Sequence, residues 1–253
     1  MSNAARLKRL ISGLQEGKVS QAQAFRFLKD LPYSDLKFAR VDHHRSLRKG
    51  CPEVIFAQGK TPGQVLKIAR RIARRGDPVL VTRADQACWK EFSRAFRGAR
   101  YDRLGRVITA ANGRARTVGR GLVLVVTAGT ADIPVAQEAV VTARLFGSRV
   151  ETLYDVGVAG IHRLLEHREV LARAKVIIVV CGMEGALPSV IGGLVSAPVV
   201  AVPTSVGYGS HLGGFVPLLS ILNTCAPGVV AVNIDNGFGA GYFANLVNRI
   251  GEK

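Results

Sequence analysis

Five near-continuous apolar runs punctuate the second half of the chain: Leu122–Val126, Arg149–Tyr154, Val176–Val180, Val199–Val202 and Val229–Val232. Helical-period stretches separate them at 132–146, 158–173, 184–195 and 213–223, and a last one follows at 238–250. Strands that are apolar on both faces must be covered on both faces. The alternation therefore predicts an α/β fold with a doubly wound parallel sheet between two helical layers, a three-layer αβα arrangement. In such sheets ligands sit at the carboxyl ends of the strands.

The first half is patterned differently. Residues 4–15 and 21–30 read as two short amphipathic helices, with Leu7, Leu10, Ile11 and Leu14 on one face, Ser20 as N-cap and Pro32 closing the pair. A hairpin of this size, residues 1–35, cannot bury a core of its own and must dock on something. Asp42–Glu53 is loop-like and dense in polar groups, either an anion-binding turn or a solvated basic one. Val54–Ala57 reads as a strand and 62–75 as a helix, with Thr61 as N-cap, Pro62 at the first position and Gln64 closing a capping box. Gly59-Lys-Thr lacks the earlier glycine of a Walker loop. Pro78–Val81 is a second strand, 84–97 a helix and 100–108 a strand or hairpin, which together suggest a smaller βαβ-type domain over 36–120. The basic stretch Gly113–Arg120 reads as a linker to a second domain at 121–253.

Charge sharpens that division. Of a formal net charge of +17, residues 1–120 hold 27 Lys and Arg against nine Asp and Glu, while residues 121–253 hold eight against nine. The first half should therefore attract anions, with Arg70, Arg71, Arg74 and Arg75 crowded at one helix end where the dipole also favours cations. Nucleic acid is one such anion. One Trp, few aromatics and no recognisable nucleic-acid motif argue against it. The four cysteines, at 51, 88, 181 and 225, have neither CxxC nor His/Cys spacing, so no zinc site or disulfide scaffold is indicated and a reducing compartment is expected. No apolar run reaches the ~20 residues that span a bilayer, and a cytoplasmic protein with no membrane partner is expected.

The loops after the strands carry the candidate chemistry. Thr127–Asp132 is built of small residues, and Asp132 could accept hydrogen bonds from a ribose or cap the next helix. Tyr154–Gly157, Cys181–Ser189, Pro203–Gly214 and Asp235–Gly241 follow the other strands, and Glu184 at a helix start is by itself a dipole partner. Cys225 stands at the end of the helix 213–223, where Leu218, Leu219, Ile221 and Leu222 are expected to face the core, Asn223 and Thr224 to close the helix and Pro227-Gly228 to stop it. A sulfur at an element terminus among small residues is either a packed, inert thiol or a nucleophile. Chain order alone places it before the last strand, not after it.

These stretches carry a resemblance. Thr127–Asp132, Cys181–Pro188, Val202-Pro203 and Leu218–Gly228 are similar to the loops and final helix of the PurE-type carboxylase fold. Arg40–Phe56 with Gly59-Lys-Thr, Gly182–Ser189, Ala201–Gly209 and Asn233–Ala240 extend the likeness over nearly the whole chain, which resembles the LarB family of nickel-pincer nucleotide cofactor synthesis. The resemblance implies carboxylation of the pyridinium ring of nicotinic acid adenine dinucleotide by CO2 or bicarbonate and hydrolysis of its phosphoanhydride. The products would be pyridinium-3,5-biscarboxylic acid mononucleotide and AMP. It implies Cys225 as nucleophile and Glu184 as proton acceptor. Thr127, Gly129, Thr130, Asp132, Asp155, Gly182 and Ser205 would contact substrate, with Arg45, Arg48 and Lys60 for its adenylate side or carboxylate. No tightly bound cofactor or protein-held metal is implied, Mg2+ being expected only with the substrate phosphates, and a symmetric homo-oligomer with shared active sites is expected. The Ser-Ala-His-Arg stretch of PurE enzymes is replaced by Asp155-Val-Gly-Val-Ala-Gly-Ile-His162, which speaks against plain PurE chemistry. A PurE-type carboxylase of another nucleotide and a basic nucleic-acid-binding protein remain the alternative readings.

Overall fold

In the computed structural model, which describes residues 3–29, 33–111 and 121–251, the chain divides into an N-terminal unit that ends at Tyr101 apart from a return at Arg106, and a C-terminal unit that takes in Asp102–Gly105. The basic stretch expected to link them, Gly113–Arg120, lies outside the described residues, as does Pro32.

The N-terminal unit opens with helices α1 (Asn3–Gln15) and α2 (Gln21–Lys29). Ser20 caps α2 as expected: Gln23 N–H donates to Ser20 Oγ (3.2 Å) and Ser20 N–H donates to Gln23 Oε1 (2.9 Å). Strands β1 (Tyr33–Asp35) and β2 (Arg40–Asp42) pair antiparallel, and a short helix α3 (Arg45–Lys49) replaces the loop predicted over Asp42–Glu53. Local chemistry accounts for that helix. His44 N–H donates to Asp42 Oδ1 (3.0 Å) and turns the chain, and Gly50 ends the helix at φ 70°.

Next come β3 (Ile55–Phe56), α4 (Pro62–Arg74), β4 (Val79–Thr82), α5 (Gln86–Ala95), β5 (Arg100–Asp102) and β6 (Val107–Ala110), whose strands form a sheet of order β3-β4-β6-β5. Parallel β3 and β4 flank α4 as the predicted βαβ unit, and β6 runs antiparallel to β4. The Thr61/Gln64 capping box is formed with Pro62 in the first turn. Val65, Ile68, Ala69 and Ile72 recur at helical spacing on α4 and pack with Val79, Val81, Phe92 and Ile108.

The C-terminal unit contains β7 (Leu122–Thr127), α6 (Ile133–Leu145), β8 (Arg149–Leu153), α7 (Ile161–Leu165), α8 (Arg168–Arg173), β9 (Ala174–Cys181), α9 (Leu187–Leu194), β10 (Val199–Pro203), α10 (Phe215–Leu222), β11 (Val229–Ala231) and α11 (Gly237–Asn248). The five strands form one wholly parallel sheet of order β11-β10-β9-β7-β8. Alternate residues of β7 feed two cores: Val123 and Val125 pack with Ala136, Ala139 and Val140 of α6 and Ala240 and Ala244 of α11. Leu124 and Val126 pack with Leu164, Leu171, Leu187, Ile191 and Ile221 on the other face. The doubly wound, three-layer prediction holds because each β7 side chain finds an apolar layer whichever way it points. At the start of α11 the buried Glu138 carboxylate accepts from Phe238 N–H (3.1 Å), placing a negative group against the helix N-terminus.

Three predicted helices differ in extent. The stretch 158–173 breaks into a 3-10 turn, α7 and α8, because His167 leaves the helical region (φ −106°, ψ 25°). Helix α9 starts at Leu187 because Met183 (φ 48°) and Gly185 (φ 69°) are left-handed, and α10 starts at Phe215 because Leu212, Gly213 and Gly214 are too. Helix α10 also corrects the expectation that Leu218, Leu219, Ile221 and Leu222 all face the core. Ile221 is buried and Leu218 half-buried, whereas Leu219 and Leu222 are 60% and 64% exposed. At 3.6 residues per turn four such closely spaced positions span more than one face, so one side of α10 meets the sheet and the other points outward.

In the N-terminal unit His43 is buried beside Ser34, its Nε2 2.7 Å from Ser34 Oγ. Burial, then the cations Arg75 and Arg71, pull its pKa from 6.5 down to about 4. The folded chain thus resists protonating a group that the unfolded chain protonates readily. Its contribution is complete above the unfolded pKa of 6.5 and is lost as pH falls through about 4. Thermal melts between those limits should show the midpoint falling with pH, and His43→Gln should flatten that dependence; an equally steep dependence in the variant would contradict it.

Candidate active site

The parallel register brings the carboxyl ends of β10, β9 and β7 side by side, so the loops after Pro203, Cys181 and Thr127 converge. They are laced by main-chain bonds: Ala128 N–H donates to Val180 O (3.0 Å), Thr204 N–H to Cys181 O (3.0 Å) and Met183 N–H to Val206 O (3.3 Å). The approach at Gly182 is so close that a Cβ there would lie 2.1 Å from Val206 O and 2.7 Å from Thr204 Oγ1. Only glycine fits. The loop after β10 is braced from within by His211, which is 5% exposed and accepts Gly214 N–H at Nδ1 (3.2 Å).

Between these loops opens a cavity of about 260 Å3. Its polar lining is Asp132 after β7, Arg163 on α7 and Glu184 after β9, with the buried Cys181 thiol at the base. Asp132 is 4% exposed, and its carboxylate accepts from Gly129 N–H (2.9 Å) at Oδ2 and from the Thr204 hydroxyl (2.8 Å) at Oδ1. Burial pushes its pKa up, while the Gly129 backbone, Thr204 and the Gly182 backbone push back. The Cys181 thiol is driven far up by burial, with the nearby Asp132 and Glu184 charges adding to the shift, and stays protonated. Arg163, the one cation among the lining residues, donates to Asp155 Oδ2 (2.8 Å). An anionic ligand would meet it together with backbone groups of the small-residue loops.

Of the residues expected from sequence, Gly129, Asp132, Gly182 and Glu184 line this cavity. Asp132 makes no side-chain cap of α6; one of its oxygens accepts within its own loop and the other joins that loop to the one after β10. Thr127 is buried beneath, its hydroxyl accepting Asp155 N–H (3.0 Å), and Asp155 reaches the cavity through Arg163. Thr130 and Ser205 are exposed outside the lining, with Ser205 N–H donating to Asp235 Oδ1 (2.8 Å). Arg45, Arg48 and Lys60 belong to the N-terminal unit, where Arg48 pairs with Asp42 (2.7 Å) and Lys60 Nζ donates to Phe56 O (2.8 Å).

Cys51, Cys88 and Cys181 are buried, and Cys225 is exposed. It does not line the cavity of its own chain, since its turn enters β11 from the amino end. That turn is nonetheless fastened near the cavity: Thr224 Oγ1 lies 2.7 Å from Ser189 Oγ, two residues from the lining residue Leu187. Sequence reasoning missed Arg163, which carries no motif, and Thr204, whose value lies in a contact 72 residues away in the chain. Among the described residues no group of three His, Cys, Asp or Glu is placed to hold a metal ion, and no helix is long and apolar enough to cross a membrane.

Removing the hydroxyl that supports the buried Asp132 should be costly. Thr204→Val is expected to lose about 1.5–3 kcal/mol in urea unfolding at neutral pH, the range for a hydrogen bond to a charged group. Thr204→Ser should recover most of it, and the deficit should shrink as acid protonates the carboxyl. A deficit independent of pH would assign the loss to packing instead.

A family model described as LarB/PurE-like N-terminal domain matches residues 33–112, and one described as AIR carboxylase matches residues 122–253. The uncharacterized protein MJ0165 of Methanocaldococcus jannaschii is 37% identical over 98% of both chains. The N5-carboxyaminoimidazole ribonucleotide mutase of the same organism is 33% identical over 49% of this chain and 76% of its own. A crystal structure of a Treponema denticola PurE2 variant, 21% identical, covers 48% of this chain and 76% of that one with a TM-score of 0.38. From the matched domains and the full-length relative, the chain belongs to the LarB/PurE-like family, with an AIR carboxylase domain as its C-terminal unit.

Proposed function

We propose that the protein carboxylates the pyridinium ring of nicotinic acid adenine dinucleotide and hydrolyses its phosphoanhydride, releasing AMP and pyridinium-3,5-biscarboxylic acid mononucleotide. Membership of a family of PurE-like proteins supports a nucleotide carboxylase in general. The single observation that carries the finer reading is the exposure of the Cys225 thiol while the other three cysteines are buried. A pyridinium ion is electron-poor. A thiolate adding to a ring carbon forms a C–S bond and leaves a neutral enamine, whose free meta carbon attacks CO2 through a new C–C bond. A base then removes the proton from that carbon, the C–S electron pair returns to sulfur, and the aromatic cation is restored. Glu184, exposed at the cavity, is the candidate base. Arg163 would hold a carboxylate or phosphate of the substrate. Water cleaves the P–O–P bond in a separate step, with Mg2+ carried by the substrate phosphates.

A second copy of the chain completes this scheme. The outward Phe215, Leu219 and Leu222 form a stripe along α10, one turn before Cys225. In this scheme the stripe is buried between protomers and the thiol of one serves the cavity of its partner.

The experiment is incubation with nicotinic acid adenine dinucleotide, bicarbonate and Mg2+, read by mass spectrometry alongside light scattering. AMP and a dicarboxylated mononucleotide are expected from an oligomer, Cys225→Ala should abolish carboxylation, and Glu184→Gln should slow it by ~100-fold or more. In a parallel incubation that supplies aminoimidazole ribotide instead, its carboxylation without any turnover of the dinucleotide would favour the reading supported by the 33% identical mutase, PurE-type chemistry on another nucleotide. Neither product would remove both.

A further inference from the structure

The N-terminal unit carries a second concavity, independent of the C-terminal cavity and of the reaction proposed for it. Two adjoining hollows of about 600 and 360 Å3 lie among α1, α2 and the carboxyl end of α4, and both are lined by Arg6, Phe27 and Arg74. Arg9 completes the larger, Arg26 and Arg75 the smaller. No carboxylate lines either one among the described residues. The described ion pairs of this unit lie elsewhere: Glu16 with Lys18, Asp35 with Arg40 and Asp42 with Arg48.

The dipole of α4 explains only part of this gathering. Arg6 Nη1 donates to Arg74 O (3.1 Å) at the helix end, as a cation should. Arg9 and Arg26, however, come from other helices and have no described bond to those carbonyls. The Phe27 ring orders the cluster, with the Arg6 guanidinium 6.0 Å and the Arg75 guanidinium 5.6 Å from its centroid. Held this way, the guanidiniums have less side-chain freedom to lose when they close on a ligand.

We propose that this arginine-lined hollow around Phe27 is a binding site for a compact polyphosphate, either free or as the diphosphate of a nucleotide. Several forked donors facing one space suit a ligand with two or more charges on adjacent phosphorus atoms better than a single carboxylate. Both hollows open widely to solvent, so the ligand would be held by charge more than by enclosure. A polynucleotide would call for a row of stacking platforms along a groove, and Phe27 is the sole aromatic lining residue.

The test is calorimetric titration of the full-length protein with inorganic pyrophosphate and, separately, with ADP. Saturable binding tighter than ~1 mM that weakens with salt is expected. The double variant Arg9→Ala/Arg26→Ala should lose about tenfold or more in affinity with an unchanged melting temperature. Arg94→Ala/Arg97→Ala, which removes the same charge from α5 and the turn after it, should bind as the parent does. Tighter binding of ADP would assign a nucleotide, equal binding a free polyphosphate. Equal losses in both double variants would reduce the effect to net charge and overturn the proposal. So would affinity retained in Arg9→Ala/Arg26→Ala, absence of saturation, or single-stranded RNA that binds more tightly and cannot be displaced by pyrophosphate.

Discussion

One buried carboxylate holds the cavity of the C-terminal unit together. Asp132 sits where three strands end and satisfies a main-chain N–H of its own loop, the hydroxyl of Thr204 from another and the backbone at Gly182 from a third. Ionising a carboxyl in that setting costs energy, and the hydrogen bonds offset the cost only while all three loops stay in place. The geometry therefore enforces itself. If the loop after β10 drifted away, the buried Asp132 carboxylate would lose the Thr204 hydroxyl and be less well compensated.

The same convergence explains the small residues around the cavity. Loops crossing at the spacing of adjacent strands leave no room for a side chain at Gly182, so the main chain itself forms part of the wall. Main-chain amides and a few polar groups then face a space whose hydrophobic support is the two-sided core of β7 and β9. Such walls suit a flat, polar, partly anionic ligand, because backbone donors can approach it closely without losing side-chain entropy. The exposed thiol of Cys225 and the apolar stripe of α10 belong to a surface that a single chain leaves uncovered.

The N-terminal unit follows another logic. Its positive charge is not spread evenly over the surface. Part of it is collected at one helix end and held by an aromatic ring. Concentrating like charges is unfavourable in itself, and the lining of that hollow holds arginines and no described acidic side chain. Under the two proposals the units would offer two different kinds of anion receptor: one made largely of backbone at strand ends, the other of guanidinium groups.

The sequence by itself determined the layers. Apolar runs too uniform for a one-sided sheet required cover on both faces, and the caps at Ser20 and Thr61 lie within three residues of the groups they satisfy, so local chemistry suffices to place them. The candidate loops were legible for the same reason, because parallel strands put their carboxyl ends on one edge whatever their order. Tertiary structure alone decided what those loops do. Nothing near Asp132 in the chain marks Thr204 as its partner, and nothing near Arg163 shows that it enters the cavity, since both depend on the order β10-β9-β7-β8. The outward face of α10 was hidden for a related reason: hydrophobicity records that a residue avoids water, but only packing shows whether its cover comes from its own chain.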